Sequence, residues 1–361
     1  MPDFVPLLII EVRRETRDAM SLALAVPVEH REAFRYRPGQ HLAVRARLDG
    51  EEVRRTYSIC SGPDDPHLRI AIKRLPEGRF STWATTQLRP GMTLDVMRPA
   101  GRFVLPDGDG EPRHLLGVAA GAGITPVMAM LQHALAREPQ TRFTLVYGNR
   151  TTEAALFLEA IEELKDLHMG RLSLIHVLSG EDSDTPLLAG RITPDKLREI
   201  VAWLLPANEI AHAFLCGPGG MIRDLRQALF ELGLARDRVH HEFFAPPGGA
   251  TPLPAERRPQ VPTASVGAGS AEVVAILDGV RHRLDMRPGE AVLDAAIRAG
   301  LRVPYSCKAG MCCTCRARIV EGQATMQANY SLEPWEIERG FTLTCQAIPL
   351  QARLVIDYDQ M

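Results

Sequence analysis

Cys307-Lys308-Ala309-Gly310-Met311-Cys312-Cys313-Thr314-Cys315, answered further on by Cys345, is the most informative stretch of this chain. Cys307, Cys312 and Cys315 have the spacing C-x4-C-x2-C, with a remote fourth cysteine. That is the plant-type iron–sulfur pattern. Structural zinc sites prefer paired C-x2-C knuckles, whereas here one interval is four residues and the last ligand is distant. Gly310 lets the backbone wrap closely around an inorganic cluster. Cys313 is left over and reads as a packed bystander. A cluster that moves one electron needs a donor and an acceptor, so the other residues are read for which of the two they provide.

Working outward, the residues flanking the loop resemble a small domain. Val273 to Leu277 is strand-like, Val292 to Ala299 helical, and Arg353 to Tyr358 a closing strand. Before it, 246–270 is rich in Pro, Gly, Ala and Ser and is a linker by composition, semi-rigid because of its prolines. At 361 residues the chain is too long for one core.

Upstream of the linker two grammars meet. Leu42, Val44, Ala46 and Leu48, then Leu68, Ile70 and Ile72, alternate with the period of half-buried strands. Turn residues punctuate them at Arg37-Pro38-Gly39, Leu48-Asp49-Gly50, Ser61-Gly62-Pro63 and Arg89-Pro90-Gly91. Short strands with regular turns predict an antiparallel β-barrel over 1–110. From His114 strands alternate with helices: Leu115–Ala119, a helix from Pro126, Phe143–Tyr147, a helix over Thr152–Leu167, Leu172–Leu178, Ala213–Cys216, and a helix over Gly220–Leu232. That alternation predicts an α/β domain with a parallel sheet over 111–245. The domains expected are therefore 1–110, 111–245 and 271–361.

Three short motifs carry chemistry. On a barrel strand, Arg55 and Tyr57 share a face, placing a cation beside a flat ring; Ser58 follows. A guanidinium grips a pyrophosphate through paired hydrogen bonds and a tyrosine ring stacks on a heterocycle. An exposed strand with a surface arginine would look the same. Gly78-Arg79-Phe80-Ser81 precedes a helix whose free N–H groups suit a phosphate. Ala120-Gly121-Ala122-Gly123-Ile124-Thr125-Pro126 joins strand to helix, with Thr125 and Pro126 in the expected N-cap and first-turn places. It departs from G-x-G-x-x-G because Pro126 replaces the third glycine; a tight turn is the plain alternative. Cys216-Gly217-Pro218-Gly219 ends the fourth strand, where ligands of parallel sheets bind. A buried cysteine acting as a small hydrophobe is the plain reading of Cys216, and no base accompanies it to make a nucleophile. His240 and His241 point to opposite faces of a strand and make no metal site.

Bulk properties narrow the function. A formal net charge of -2 disfavours nucleic-acid and membrane-surface binding. The short apolar run Val5–Ile10 is neither a secretory signal nor a membrane span. A cytoplasmic setting is expected, where clustered reduced cysteines favour metal over disulfides.

In this order the motifs resemble the ferredoxin–NADP reductase superfamily carrying a C-terminal plant-type 2Fe-2S ferredoxin domain, over essentially the whole chain. A narrower likeness is to the reductases of bacterial phenylacetyl-CoA epoxidase (ring 1,2-epoxidase) complexes. It rests on Arg37-Pro38-Gly39-Gln40-His41-Leu42, Tyr57-Ser58-Ile59-Cys60, Tyr147-Gly148-Asn149-Arg150-Thr151, Asn329-Tyr330-Ser331-Leu332-Glu333-Pro334 and Thr344-Cys345-Gln346. The resemblance implies a multidomain protein with a flavin barrel, an α/β nucleotide domain and a β-grasp-like α+β ferredoxin domain. It implies FAD held by Arg55, Tyr57, Ser58, Gly78 and Ser81, and a nicotinamide nucleotide at Gly121, Gly123, Thr125, Arg150, Cys216, Gly217 and Pro218. Tyr57, Ser58, Cys216 and Phe244 would border the reacting rings, with His240, Glu242 and Phe244 matching an H-x-E-x-F strand near the flavin. Cys307, Cys312, Cys315 and Cys345 would ligate a 2Fe-2S cluster. Cys313 departs from the small Ser, Ala or Thr usual at its place.

Arg150, with no acid until Glu153, favours NADPH over NADH. The implied activity is a relay from NADPH through FAD and the cluster to the oxygenase component of a multicomponent complex, with the linker letting the ferredoxin domain swing. Two rivals remain: a reductase for a ring-hydroxylating dioxygenase, and a non-catalytic redox sensor or zinc-stabilised module.

Overall fold

A computed structural model describes residues 4–62, 64–244 and 272–360. The expected linker at 246–270 lies outside the described residues. The chain divides into two compact units, one built from Val5–Val53 and Tyr57–Pro247 and the other mainly from the chain that follows.

The first sheet comprises β1 (Val5–Thr16), β2 (Ala19–Ala25), β3 (His41–Leu48), β4 (Glu51–Ser58), β5 (Leu68–Lys73) and β6 (Thr93–Val96), with helix α1 (Arg79–Gln87) between the last two. Its order is β4-β3-β6-β1-β2-β5. Ile59, just beyond β4, bridges Ile70 of β5, so the two outer strands meet and the sheet closes. Closure leaves no open edge, which is how small antiparallel sheets avoid aggregation. The alternating residues point inward as expected: Leu42, Val44, Leu48, Leu68, Ile70 and Ile72 all join one core. Burying each such side chain contributes about 1.5–3 kcal/mol.

The second sheet is wholly parallel. Its strands β7 (His114–Ala120), β8 (Arg142–Asn149), β9 (Leu172–Leu178), β10 (Ile210–Pro218) and β11 (Val239–Phe244) stand in the order β11-β10-β7-β8-β9. Helices α2 (Ile124–Arg137), α3 (Leu158–Leu167), α4 (Pro194–Leu204) and α5 (Gly219–Glu231) connect them. Both faces are covered, so β7 and β8 are almost continuously buried and apolar.

Three local outcomes differ from the sequence reading. Helix α2 starts at Ile124, so Thr125 and Pro126 lie inside its first turn, and the Thr125 hydroxyl donates back to the Ala122 carbonyl at 3.0 Å. Helix α3 starts only at Leu158. Thr152–Ala154 form a single 3-10 turn, and the Leu156 N–H goes to the Tyr147 hydroxyl (3.0 Å) instead of a helical carbonyl. Helix α4 is not among the expected elements, although Thr193 caps it, Pro194 opens it, and Leu197, Ile200 and Val201 give it a buried stripe.

The C-terminal unit holds β12 (Glu272–Leu277), β13 (Val280–Asp285), α6 (Val292–Arg298), β14 (Arg316–Glu321), β15 (Ala324–Met326), α7 (Pro334–Glu338), β16 (Phe341–Leu343), β17 (Ala347–Pro349) and β18 (Arg353–Asp357). Five strands form a mixed sheet, β13-β12-β18-β14-β16, in which β12 and β18 are parallel. Val292, Leu293, Ala295 and Ala296 of α6 share a core with Val273, Ala275, Leu354 and Ile356 of that sheet. A helix laid on a mixed sheet is the β-grasp-like α+β arrangement expected. No helix among the described residues is long and apolar enough to cross a membrane.

Candidate functional site

In the parallel sheet β7, β8 and β9 build outward one way, while β10 and β11 lie on the other side of β7. The chain reverses direction between β7 and β10, and ligands of open parallel sheets bind beyond the carboxyl ends of the strands at such a switch point. Both glycine motifs stand there. A Cβ on Gly123 would meet the Cys216 carbonyl oxygen at 2.2 Å, and one on Gly217 would come within 3.1 Å of the Ala120 Cβ. The two turns are thus packed backbone to backbone, and only glycine permits it. Helices α2 and α5 begin at these turns, so two sets of unpaired N–H groups and two positive dipole ends converge where a pyrophosphate would lie. Tyr147, which the sequence reading does not place in the site, braces this floor: its buried hydroxyl is 3.3 Å from the Gly121 carbonyl.

Arg150 stands exposed just past β8. The sequence shows no nearby acid before Glu153, but the fold brings Glu181 to this edge. Its carboxylate accepts the Thr152 N–H and, at 3.1 Å, the Thr152 hydroxyl.

The barrel contributes the other side. Arg55 is exposed and Tyr57 half-buried on β4. The Tyr57 ring lies 5.9 Å from Phe80, which in turn meets Trp83 edge-on at 5.4 Å, so the ring has a rigid aromatic backing. Gly78 opens α1 without a side-chain cap. The Ser81 hydroxyl accepts the Leu75 N–H and donates to the Gly78 carbonyl, both at 3.1 Å. That hydroxyl shapes the turn, and the free donors toward a phosphate are backbone N–H groups.

Barrel and parallel sheet meet at Ser58, whose hydroxyl donates to Glu242 Oε2 at 3.2 Å although 184 residues separate them. Glu242 pairs in register with Cys216, and Phe244 with Pro218. Burial, and secondarily the Glu242 charge, push the Cys216 thiol well above its ordinary range, so it is a neutral thiol and no nucleophile. His240 and His241 face opposite ways: His240 stacks on Phe214 at 5.0 Å, while His241 Nε2 is 3.2 Å from Arg226.

Four of the five cysteines of the C-terminal unit gather as two pairs. The Cys312 side chain and the N–H groups of Ala309, Met311 and Cys312 stand against the Cys307 sulfur and, working against burial, hold its thiol down to about 6. Cys315 donates to Cys345, which raises the former and lowers the latter. Two thiols per iron is what a two-iron cluster requires, and amide donors around sulfur favour the thiolate form. The donor set therefore fits a 2Fe-2S cluster. Flanking motifs hold the loop. Gln346 Nε2 donates to the Lys308 carbonyl at 3.0 Å, Tyr330 N–H and the Ser331 hydroxyl reach the Gly310 carbonyl, and the Thr344 hydroxyl reaches the Cys315 carbonyl. Cys313 adopts a left-handed φ of 54° and packs against the core of this unit.

Residues 6–105 match the oxidoreductase FAD-binding domain family, 118–227 the oxidoreductase NAD-binding domain family, and 275–350 the 2Fe-2S iron–sulfur cluster binding domain family. The chain is 40% identical over 361 residues to one of the subunits of the 1,2-phenylacetyl-CoA epoxidase of Escherichia coli K12, covering 99% of each. It belongs to the ferredoxin–NADP reductase superfamily, in the branch with a C-terminal 2Fe-2S domain. This reductase is an oxidoreductase with FAD-, NAD- and 2Fe-2S-binding domains, an electron-transfer component of the kind that serves oxygenases. It is also 35% identical to the ferredoxin reductase component of the 3-ketosteroid-9-alpha-monooxygenase of Rhodococcus rhodochrous, covering 98% of this chain and 97% of that one. Its fold is similar to that of phthalate dioxygenase reductase, with a TM-score of 0.59 and 24% identity over 98% of each chain.

Proposed function

We propose that this reductase draws electrons from NADPH and delivers them, through FAD and a 2Fe-2S cluster, to the oxygenase component of a phenylacetyl-CoA epoxidase. The observation that carries the reading is the full-length identity of 40% to a component of such a complex, joined to a switch-point nucleotide site in one unit and two thiol pairs in the other. FAD, when bound, takes up a hydride and releases electrons singly, and a 2Fe-2S cluster holds one at a time.

The protein's own part is binding and alignment. Arg55 holds the flavin pyrophosphate, and the backbone N–H groups after Gly78 complete that site. Tyr57 stacks on the flavin ring with Phe80 behind it. The paired turns at Gly121–Gly123 and Cys216–Pro218 receive the dinucleotide. Ser58, Cys216, Glu242 and Phe244 line the junction where hydride passes. Cys307, Cys312, Cys315 and Cys345 ligate the irons, and Cys313 does not. Each sheet lies within one of the parts 1–110, 111–245 and 271–361, which supports that division into domains. Seven cysteines, none in a disulfide among the described residues and four of them needed as thiolates, suit a cytoplasmic setting.

The preference for NADPH rests on Arg150, whose guanidinium suits a 2′-phosphate, and on Glu181 being engaged by Thr152 instead of open to a ribose hydroxyl. Arg150→Ala should raise KM for NADPH at least tenfold and KM for NADH little, about the worth of one charged hydrogen bond; equal effects would sink the assignment. For the partner, purified reductase and NADPH are mixed with a phenylacetyl-CoA epoxidase oxygenase component and, separately, with a 3-ketosteroid monooxygenase oxygenase. Epoxide formation well above the steroid turnover supports the proposal. The reverse order assigns the partner to the second reading, which the Rhodococcus relative favours.

A further inference from the structure

His41 belongs to a motif that the electron relay leaves without a role. It opens β3 on the barrel side, and its side chain is 2% exposed. Main-chain bonds fix it from both directions: its N–H donates to the Ala100 carbonyl at 2.8 Å, and its carbonyl accepts the Ala100 N–H at 3.0 Å. The space for its ring exists because residue 101 has no side chain. A Cβ on Gly101, at φ 109°, would stand 2.7 Å from His41 Nδ1. Only glycine takes that backbone conformation readily. The fold is therefore built around an imidazole at this point.

That imidazole is aimed across the junction between barrel and parallel sheet. His41 Nδ1 lies 3.6 Å from Glu242 Oε1, while Glu242 Oε2 accepts the Ser58 hydroxyl at 3.2 Å. The carboxylate is 14% exposed. At 3.6 Å the His41 nitrogen faces Oε1 within ion-pair range but beyond hydrogen-bond length, so it packs against the carboxylate without donating to it. Ser58 partners one oxygen and His41 faces the other. An apolar residue at 41 would fill the same space and put hydrocarbon where a polar ring now faces Oε1.

We propose that His41 is a positioning residue: it fixes the Glu242 carboxylate from the barrel side, and thereby keeps the Ser58 hydroxyl and the carboxylate in register at the hydride-transfer junction. His41 does not touch the cofactor; it acts through Glu242. The inference rests on the reading that Ser58 and Glu242 border the reacting rings.

The test is a double-mutant cycle on the holoenzyme, with Ser58→Ala beside it. NADPH-dependent bleaching of flavin absorbance is followed by rapid mixing, together with KM for NADPH, the visible circular dichroism of the oxidised flavin, and the unfolding midpoint of the apoprotein. His41→Phe should slow flavin reduction roughly tenfold through misalignment, leave KM within about twofold because the nucleotide turns are untouched, and alter the flavin dichroism. His41→Gln, which keeps a polar group facing Oε1, should recover most of the rate. On a Glu242→Gln background, His41→Phe should add little, because contacting residues are non-additive. Full additivity, or equal losses in His41→Phe and His41→Gln, would overturn the proposal in favour of mere packing. If Ser58→Ala slows reduction while His41→Phe does not, this inference fails alone. If Ser58→Ala has no effect, the reading of the junction fails instead. Should His41→Phe not fold, His41→Met takes its place in the same cycle with the same outcomes.

Discussion

Gly123 and Cys216 meet backbone to backbone: the place a Cβ of Gly123 would take is 2.2 Å from the Cys216 carbonyl oxygen. Two turns far apart in sequence thus form one floor beneath the nucleotide site. Gly123→Ala cannot be absorbed by rotating a flexible side chain, so the β10 turn must shift. The expected result is destabilisation by about 1–3 kcal/mol, the usual cost of overpacking, with a loss of NAD(P)H affinity and normal flavin and cluster absorbance. Gly121→Ala meets nothing within 4 Å and carries only the strain of φ 53°, about 1 kcal/mol. Urea unfolding and nucleotide titration of both variants check this. If Gly121→Ala proved the more damaging to binding, the turns would not share a floor.

The barrel, the parallel sheet and the ferredoxin-type unit were legible because each rests on a local period or a local spacing. Leu42, Val44 and Leu48 alternate in sequence and face one core in space. The nucleotide floor was legible only as two separate motifs, since nothing local tells that Gly123 touches Cys216. The start of α3 departs from the sequence pattern for a similar reason: a distant hydroxyl, that of Tyr147, takes the Leu156 N–H. Ser58 and Glu242 each stand out in a motif of their own, but a contact across 184 residues leaves no spacing to read. Helix α4 is different, because Thr193-Pro194 and the Leu197, Ile200 and Val201 stripe are visible in the sequence.

The proposed ligand set makes a sharp prediction about the cysteines. Cys345→Ser should abolish or strongly alter the cluster spectrum and stop reduction of acceptors that draw on the cluster, while NADPH-dependent ferricyanide reduction at the flavin persists. Cys313→Ser should leave both intact, since Cys313 lies outside the C-x4-C-x2-C spacing. Serine at a left-handed φ of 54° is no worse than cysteine there. Loss of the cluster in Cys313→Ser with retention in Cys345→Ser would reverse the assignment.

An ion pair stands at Arg316, next to Cys315 in the C-terminal unit. Arg316 Nε donates to Glu336 Oε1 at 2.9 Å, and the carboxylate is fully enclosed. Glu336 Oε2 also accepts the Glu333 N–H at 3.1 Å, and the Arg316 guanidinium lies 3.5 Å over the Phe341 ring. Removing one member leaves the other buried and unpaired, which costs about 3–5 kcal/mol. Glu336→Ala should therefore lower the temperature at which the cluster absorbance is lost, with flavin release unchanged, because the two chromophores report on different units. Replacing the pair together by Arg316→Met and Glu336→Leu should be milder than either single change. If the flavin midpoint moved with the cluster midpoint, the pair would not be local in its effect.

Buried histidines give the first unit an acid-sensitive stability. Burial, aided by the Arg142 charge, pulls His114 down to about 4. Burial, then His212, holds His240 at about 4, and burial, then Arg226, holds His241 at about 3. Each is neutral in the folded protein and titrates near its ordinary 6.5 when unfolded. Above pH 6.5 neither state is protonated and nothing is at stake. As pH falls below 6.5 the unfolded chain takes up protons that the folded chain refuses, so stability drops until the folded pKa values near 4 and 3 are reached. Each histidine adds a slope of at most about 1.4 kcal/mol per pH unit in that window, less where solvent reaches the ring. The urea midpoint of the flavin-bearing unit should therefore fall steadily between pH 6.5 and 4. His241 Nε2 faces an Arg226 nitrogen at 3.2 Å, where a protonated ring would meet a cation. His241→Gln keeps an acceptor for Arg226 and removes the proton site, so it should flatten the pH dependence while changing the midpoint at neutral pH little. A slope unchanged in that variant would mean that carboxylates, not histidines, govern the acid limb.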